Sequence, residues 1–203
     1  MTNILLCTHE LDGEWCYKSL KHYIRSDVKV LLLTFALKTS LDSVRKPFLS
    51  YGVPEENVKT LDLGWEGVQG LLEKIQECDL ICLVGSHPEK MCEILERQPI
   101  KEELLTSKKI VIGMGAGAQV LLDRYHITPY EEERTDFYYG RGLGLVRGMD
   151  LELDYDCSYG RKMAIRRAGR ELKKHIYALT KDGGVIIAKG QITPIGNVTV
   201  FEG

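Results

Sequence analysis

Several groups of residues in this chain have the types and spacing to do chemistry. The first is Gly113-Met114-Gly115-Ala116-Gly117-Ala118, with the apolar run Ile110-Val111-Ile112 before it and Gln119-Val120-Leu121-Leu122 after it. It reads as a buried strand, a glycine-tight turn and the start of a helix. In a G-x-S-x-G nucleophile elbow, one residue on a strained strand-to-helix turn is exposed at the sheet edge, where nearby backbone N–H groups can receive an oxyanion. Here that residue is Gly115, and without a hydroxyl or thiol no covalent acyl intermediate forms at it. The same letters satisfy the G-x-G-x-x-G/A dinucleotide fingerprint. That motif belongs to a first βαβ unit with an acid about 20 residues on, whereas this one sits in the fifth unit, before an irregular Tyr/Glu-rich loop.

Ser86-His87 places a hydroxyl beside an imidazole, although adjacent side chains usually point apart. Asp154 and Asp156 flank Tyr155, and in extended geometry both carboxylates face one way. Such a pair can share a proton or bind a metal. No histidine or further acid arrives at metal-like spacing, so neither a metal nor another cofactor is expected. Arg161, Arg166, Arg167 and Arg170 fall at helical intervals and read as an exposed basic face; the alternative is that some face a pocket and attract a carboxylate. Glu131-Glu132-Glu133-Arg134 reads as a solvated loop. His9 follows the first strand, His22 and His175 fall in helix patterns, and His126 sits in a loop with no partner that the sequence identifies.

The elements that must position these groups alternate. Asn3–Cys7, Val28–Leu33, Val58–Leu61, Leu80–Val84 and Ile110–Ile112 are short apolar runs that suit strands buried on both faces of a parallel sheet. Between them lie amphipathic segments near Glu14–Ile24, Leu41–Tyr51, Trp65–Cys78 and Pro88–Arg97. The pattern predicts an α/β fold, a three-layer α/β/α sandwich with right-handed crossovers and a mostly parallel central sheet. Gly52-Val53-Pro54 marks a helix end, and Ser86-His87-Pro88-Glu89 supplies a cap, an early proline and an early acid. After the loop Tyr125–Tyr139, a strand over Met149–Asp154, a helix near Met163–His175 and a hairpin-like tail close the chain.

Composition narrows the partners. The chain has 203 residues, 44% apolar and 28% charged, enough for one well-buried domain over 1–203 and short for two. With 27 basic and 29 acidic residues the net charge is −2, which leaves no footprint for nucleic acid or an anionic membrane. No secretory signal or membrane-spanning run is legible. The six cysteines form no C-x-x-C pair and read as reduced thiols of a cytoplasmic protein. A homodimer is left open.

Gly113-Met114-Gly115-Ala116-Gly117-Ala118 resembles the G-x-S-A-G-A elbow of the dipeptidase E and cyanophycinase family of serine peptidases, with glycine in place of serine. Gly142-Leu143-Gly144-Leu145-Val146, followed by Met149–Asp154, matches a family segment leading to the strand that ends in the catalytic histidine. The run Ala178–Ile187, with Ile195–Phe201, resembles the family's closing acidic-glycine turn and short C-terminal β-strands. The resemblance covers nearly the whole chain and implies a class I glutamine amidotransferase-like fold.

Aligned on that family, Asp154-Tyr155 stands where a histidine and an aromatic residue are expected, so nucleophile and general base are both absent. The third catalytic residue, an acid, would fall near Tyr130–Glu133. Val84-Gly85-Ser86-His87-Pro88 replaces a G-G-N-T-like turn that helps form the oxyanion pocket. The family hydrolyses acyl-aspartyl bonds; this chain is expected to be a non-catalytic member keeping a pocket for a small anion or aspartyl peptide. Ligands of open α/β sheets bind beyond the carboxyl ends of the strands, which collects Thr8-His9-Glu10, Gly85, Ser86, His87, Gly115, Ala116 and Asp154. The alternative is a hydrolase with relocated chemistry, using Ser86, His87, Asp154 or Cys157.

Overall fold

The computed structural model describes residues 3–8, 11, 13–36, 40–64, 70–97, 100–129 and 136–203. In chain order the first half holds β1 (Asn3–Cys7), α1 (Glu14–Leu20), β2 (Val30–Phe35), α2 (Leu41–Ser50), β3 (Val58–Asp62), α3 (Leu71–Glu77), β4 (Leu80–Gly85), α4 (Pro88–Glu96) and α5 (Ile100–Thr106). The second half holds β5 (Ile110–Gly115), α6 (Ala116–Leu121), β6 (Arg124–Ile127), β7 (Tyr138–Arg141), β8 (Met149–Glu152), α7 (Tyr159–Leu172), β9 (His175–Ala188) and β10 (Gln191–Phe201). The main sheet runs β10-β9-β1-β5-β4-β2-β3, with β8 joined to β9. Strands β1 to β5 run parallel to one another, while β9 is antiparallel to β1 and to β10.

Alternation within the strands builds the layers. Ile4, Leu6, Leu31, Leu33, Ile81, Leu83 and Val111 point into one apolar cluster, with Leu71 and Ile75 of α3, Met91 and Leu95 of α4 and Leu104 of α5. Their neighbours Leu5, Cys7, Val30, Leu32, Cys82, Ile112 and Met114 point into the opposite cluster, with Cys16 and Leu20 of α1 and Val44 and Phe48 of α2. A period of two with both faces covered explains why these strands read as unbroken apolar runs. Burying each Leu or Ile contributes about 1.5–3 kcal/mol, so the sheet is the rigid base on which its edge loops are set.

Several boundaries differ from the sequence reading. β5 runs through to Gly115, because its ladder with β4 continues to the pair Gly85 and Gly115. α7 begins earlier, at Tyr159, where the Ser158 hydroxyl accepts from the Arg161 N–H, the usual N-cap bond. It ends at Leu172, and Lys173 at φ 54° closes it, so His175 opens a strand instead of ending a helix. The segment Tyr125–Tyr139 is not all loop: Arg124–Ile127 pairs antiparallel with Tyr138–Arg141. α1 stops at Leu20 and α3 covers Leu71–Glu77; residues 65–69 of the expected Trp65–Cys78 helix lie outside the described residues. The C-terminal antiparallel strands are present and long, with 14 residues in β9 and 11 in β10.

Candidate functional site

Glycine determines how α6 meets the sheet. A Cβ on Gly117 would stand 2.0 Å from the Leu83 carbonyl oxygen, and one on Gly113 would stand 2.7 Å from the Ala118 Cα. Both glycines let helix and strand backbones touch. Gly115 between them has φ 57° and ψ −126°, a region that L side chains enter only under strain. A Cβ there would lie 3.2 Å from the Gly85 carbonyl oxygen and 3.6 Å from that of Thr8. The turn is therefore sharp and glycine-compatible, and it carries no side chain for chemistry.

Around it the carboxyl ends of the strands converge. Gly85 is the register partner of Gly115, and a Cβ on Gly85 would meet the Phe35 carbonyl oxygen at 2.2 Å. The Ser86 N–H donates to Phe35 O at 3.1 Å, and the Ser86 hydroxyl donates to Ala36 O at 2.7 Å. From the other side, the Thr8 hydroxyl donates to Thr180 O at 3.3 Å, and the Tyr155 N–H donates to Leu179 O at 2.9 Å. Tyr155 immediately follows Asp154, so this strand end meets β9 beside the residue that bonds Thr8. Ala116 is buried at the first position of α6.

Within the expected cap Ser86-His87-Pro88-Glu89, His87 is the N-cap residue of α4, at φ 80° and ψ 73°, and it makes no side-chain capping bond; it is exposed. Asp154 has φ 54°, so the extended geometry that would turn it and Asp156 to one face is broken. Asp156 instead accepts from the Ser158 N–H at 2.9 Å, and that bond holds its carboxyl below the usual range. Cys157 is exposed, also at positive φ, 63°. His9, Glu10 and Tyr130–Glu133, where the family's third catalytic residue would fall, lie outside the described residues.

The sequence reading missed a buried ionic network. His126 Nδ1 lies 2.7 Å from Asp150 Oδ2, and Nε2 lies 2.8 Å from Glu152 Oε2. The Thr128 hydroxyl donates to Glu152 Oε2 at 2.7 Å, and Arg161 donates to Glu152 Oε1 at 2.6 Å and to Leu153 O at 2.6 Å. Burial pushes the imidazole down, but its bonds to Asp150 and Glu152 outweigh that and lift it to about 9. The available signal was two acids two apart in a strand whose other residues, Met149 and Leu151, are buried.

No protein-family model matches the sequence, and no curated protein matches it. Among solved structures, the chain is similar to a "Putative Peptidase E Protein" from Listeria monocytogenes EGD-e, with a TM-score of 0.69 at 16% identity. The match covers 97% of this chain and 99% of that one. At that identity the likeness speaks for the fold: the chain has a peptidase E-like α/β fold. Among the described residues, no helix is long and apolar enough to cross a membrane.

Proposed function

We propose that this chain is a non-catalytic homologue of dipeptidase E-type serine peptidases that keeps a pocket for a small anion or an aspartyl peptide at a degenerate nucleophile elbow. The observation that carries the reading is Gly115, at φ 57° and ψ −126° between β5 and α6, a strained turn without the hydroxyl it would present. Loss of the base beside loss of the nucleophile supports it further, since Asp154 takes the expected histidine position. A serine and its base act as one unit, so neither half alone retains acyl transfer. The ligand class follows from the family's acyl-aspartyl substrates. The pocket would be formed by Gly85, Ser86, His87, Gly115, Ala116 and Asp154.

Relocated hydrolysis at Ser86 is the weaker reading, because the Ser86 hydroxyl donates its proton to Ala36 O and is not turned toward a base. A cytoplasmic setting is part of the proposal and rests on thiol usage: six free cysteines, five of them buried, suit a reducing compartment. Purified protein incubated with aspartyl dipeptides should give no turnover above buffer and no labelling by serine-directed fluorophosphonates. Titration with aspartate or aspartyl dipeptides should shift the amides of Gly113–Gln119 and Gly85–His87. Hydrolysis that survives repeated purification would overturn the non-catalytic reading, and absence of those shifts at millimolar ligand would overturn the pocket.

A further inference from the structure

A cavity of about 910 Å³ lies against α7, and none of its lining residues belongs to the Gly115 turn, Gly85–His87 or Asp154. Its volume falls near the upper end of the roughly 300–1,000 Å³ typical of small-molecule sites. Among the described residues, Arg161, Arg167 and Arg170 line it against the carboxylates of Asp156 and Glu171, three cationic groups facing two anionic ones.

The three arginines are not equivalent. Arg161 is consumed by the buried network through Glu152 and Leu153 O, so it stiffens the floor. Arg167 lies with its guanidinium 4.4 Å over the Phe137 ring, while its Nε donates to Glu171 Oε1 at 2.9 Å. Glu171 is shared, since it also accepts from the Tyr139 hydroxyl at 2.6 Å. Arg170 donates from Nε to Arg166 O at 3.3 Å and forms no ion pair among the described residues. A guanidinium is a planar fork suited to a carboxylate or phosphate, and Arg170 keeps its fork for a group that arrives from outside.

Apart from the hydroxyls of Thr128 and Ser158, the rest of the described lining is apolar. Met163 leaves 42% of its surface exposed and lines the same cavity as Phe137 and Pro129. Thioether and aromatic surfaces side by side make an adaptable wall for a flat apolar body. Thr128, fixed by its bond to Glu152, also lines the cavity.

We infer that this cavity binds an organic anion, a carboxylate or phosphate monoester with a flat apolar body, its charge on Arg170 and Arg167 and its body against Phe137 and Met163. Phenyl phosphate, benzoate and inorganic phosphate titrated into the full chain at fixed ionic strength separate the two parts of the site. Phenyl phosphate and benzoate should bind saturably and shift the amides of Ser158–Glu171, Thr128 and Phe137, and inorganic phosphate should bind at least about tenfold more weakly. Arg170→Gln and Arg167→Gln should each raise the Kd for phenyl phosphate about tenfold, the value of one charge-assisted hydrogen bond. Arg25→Gln, which removes an exposed charge that does not line the cavity, should leave it unchanged. Shifts confined to Gly113–Gln119, equal binding of inorganic and phenyl phosphate, or affinity indifferent to Arg170→Gln in a protein with an unaltered melting curve would each overturn the proposal.

Discussion

The imidazole of His126 donates toward Glu152 across 2.8 Å, with the His126 side chain fully buried and that of Glu152 at 4% exposure. The opposite ring nitrogen is held by Asp150, whose same carboxylate oxygen also accepts the His126 main-chain N–H at 3.1 Å. An imidazolium donates from both nitrogens, which is what two flanking carboxylates require. The β6 and β8 strands are thereby joined through charge, and Arg161 of α7 is fixed to the same Glu152.

Stability should depend on pH through this ring. The folded imidazole is raised to about 9 from an ordinary 6.5, so its contribution is fully present below about pH 6.5 and is lost as pH rises through about 9. The amount at stake is on the order of 3 kcal/mol. Urea midpoints should fall between about pH 6.5 and 9.5. His126→Gln should flatten that slope and destabilise at about pH 7 by about 3–5 kcal/mol, the cost of leaving buried charges uncompensated. A wild-type midpoint unchanged over that interval would show that the ring is not charged.

Substitutions at Gly115 should separate strain from space. Gly115→Ser must accept φ 57° and a contact 3.2 Å from Gly85 O, at a cost of about 1–3 kcal/mol. Gly115→Val adds β-branching to the same conformation and should exceed that range, to roughly 4 kcal/mol. Equal melting temperatures for the two variants would rule out a strained turn.

Two other glycines should behave in opposite ways. Gly117→Ala drives a Cβ to 2.0 Å from the Leu83 carbonyl and must lift α6 off the sheet, losing about 3 kcal/mol. Gly160, inside α7, faces open space where a Cβ would stand, with nothing within 4 Å, so Gly160→Ala should gain up to about 1 kcal/mol from reduced unfolded-state entropy. Thermal melts of the two variants check the contrast.

Thiol reactivity should be confined to one position. Burial raises the Cys78 thiol to about 11 and the Cys92 thiol to about 12, and it raises Cys7 and Cys82 as well. Thiolate is the reactive form. Brief iodoacetamide treatment of the native protein should modify exposed Cys157 alone, read by peptide mass spectrometry, with the other five reacting only after unfolding.

The apolar strands were legible because each is buried on both faces, so Ile, Val and Leu dominate from Leu80 to Val84 and from Ile110 to Ile112. The turn at Gly115 was legible for a similar reason: close backbone contact allows little besides glycine at Gly113 and Gly117. The His126 network was not. Its members come from β6, β8 and α7, and no spacing in the chain announces a pairing made by tertiary packing. The face shared by Asp154 and Asp156 failed because it assumed an extended backbone where Asp154 turns left-handed. The cap of α4 was legible as Ser86-His87-Pro88-Glu89 but not which of its residues caps: the Ser86 hydroxyl bonds Ala36 O on a neighbouring loop, and His87 takes the N-cap position.

Strand β1 has one further consequence, for the order in which the chain assembles. Ile4 pairs with Val111 on one side and with Ile187 on the other, so β1, made before either partner, is among the last strands to be closed. Contacts this distant in sequence delay folding, since the loops must be ordered before the pairing rewards them. Until residues 184–187 arrive, Ile4, Leu5, Leu6 and Cys7 present an unpaired apolar edge of the kind that recruits other strands. During synthesis β1 therefore keeps one open side, and β9 is the segment that seals it.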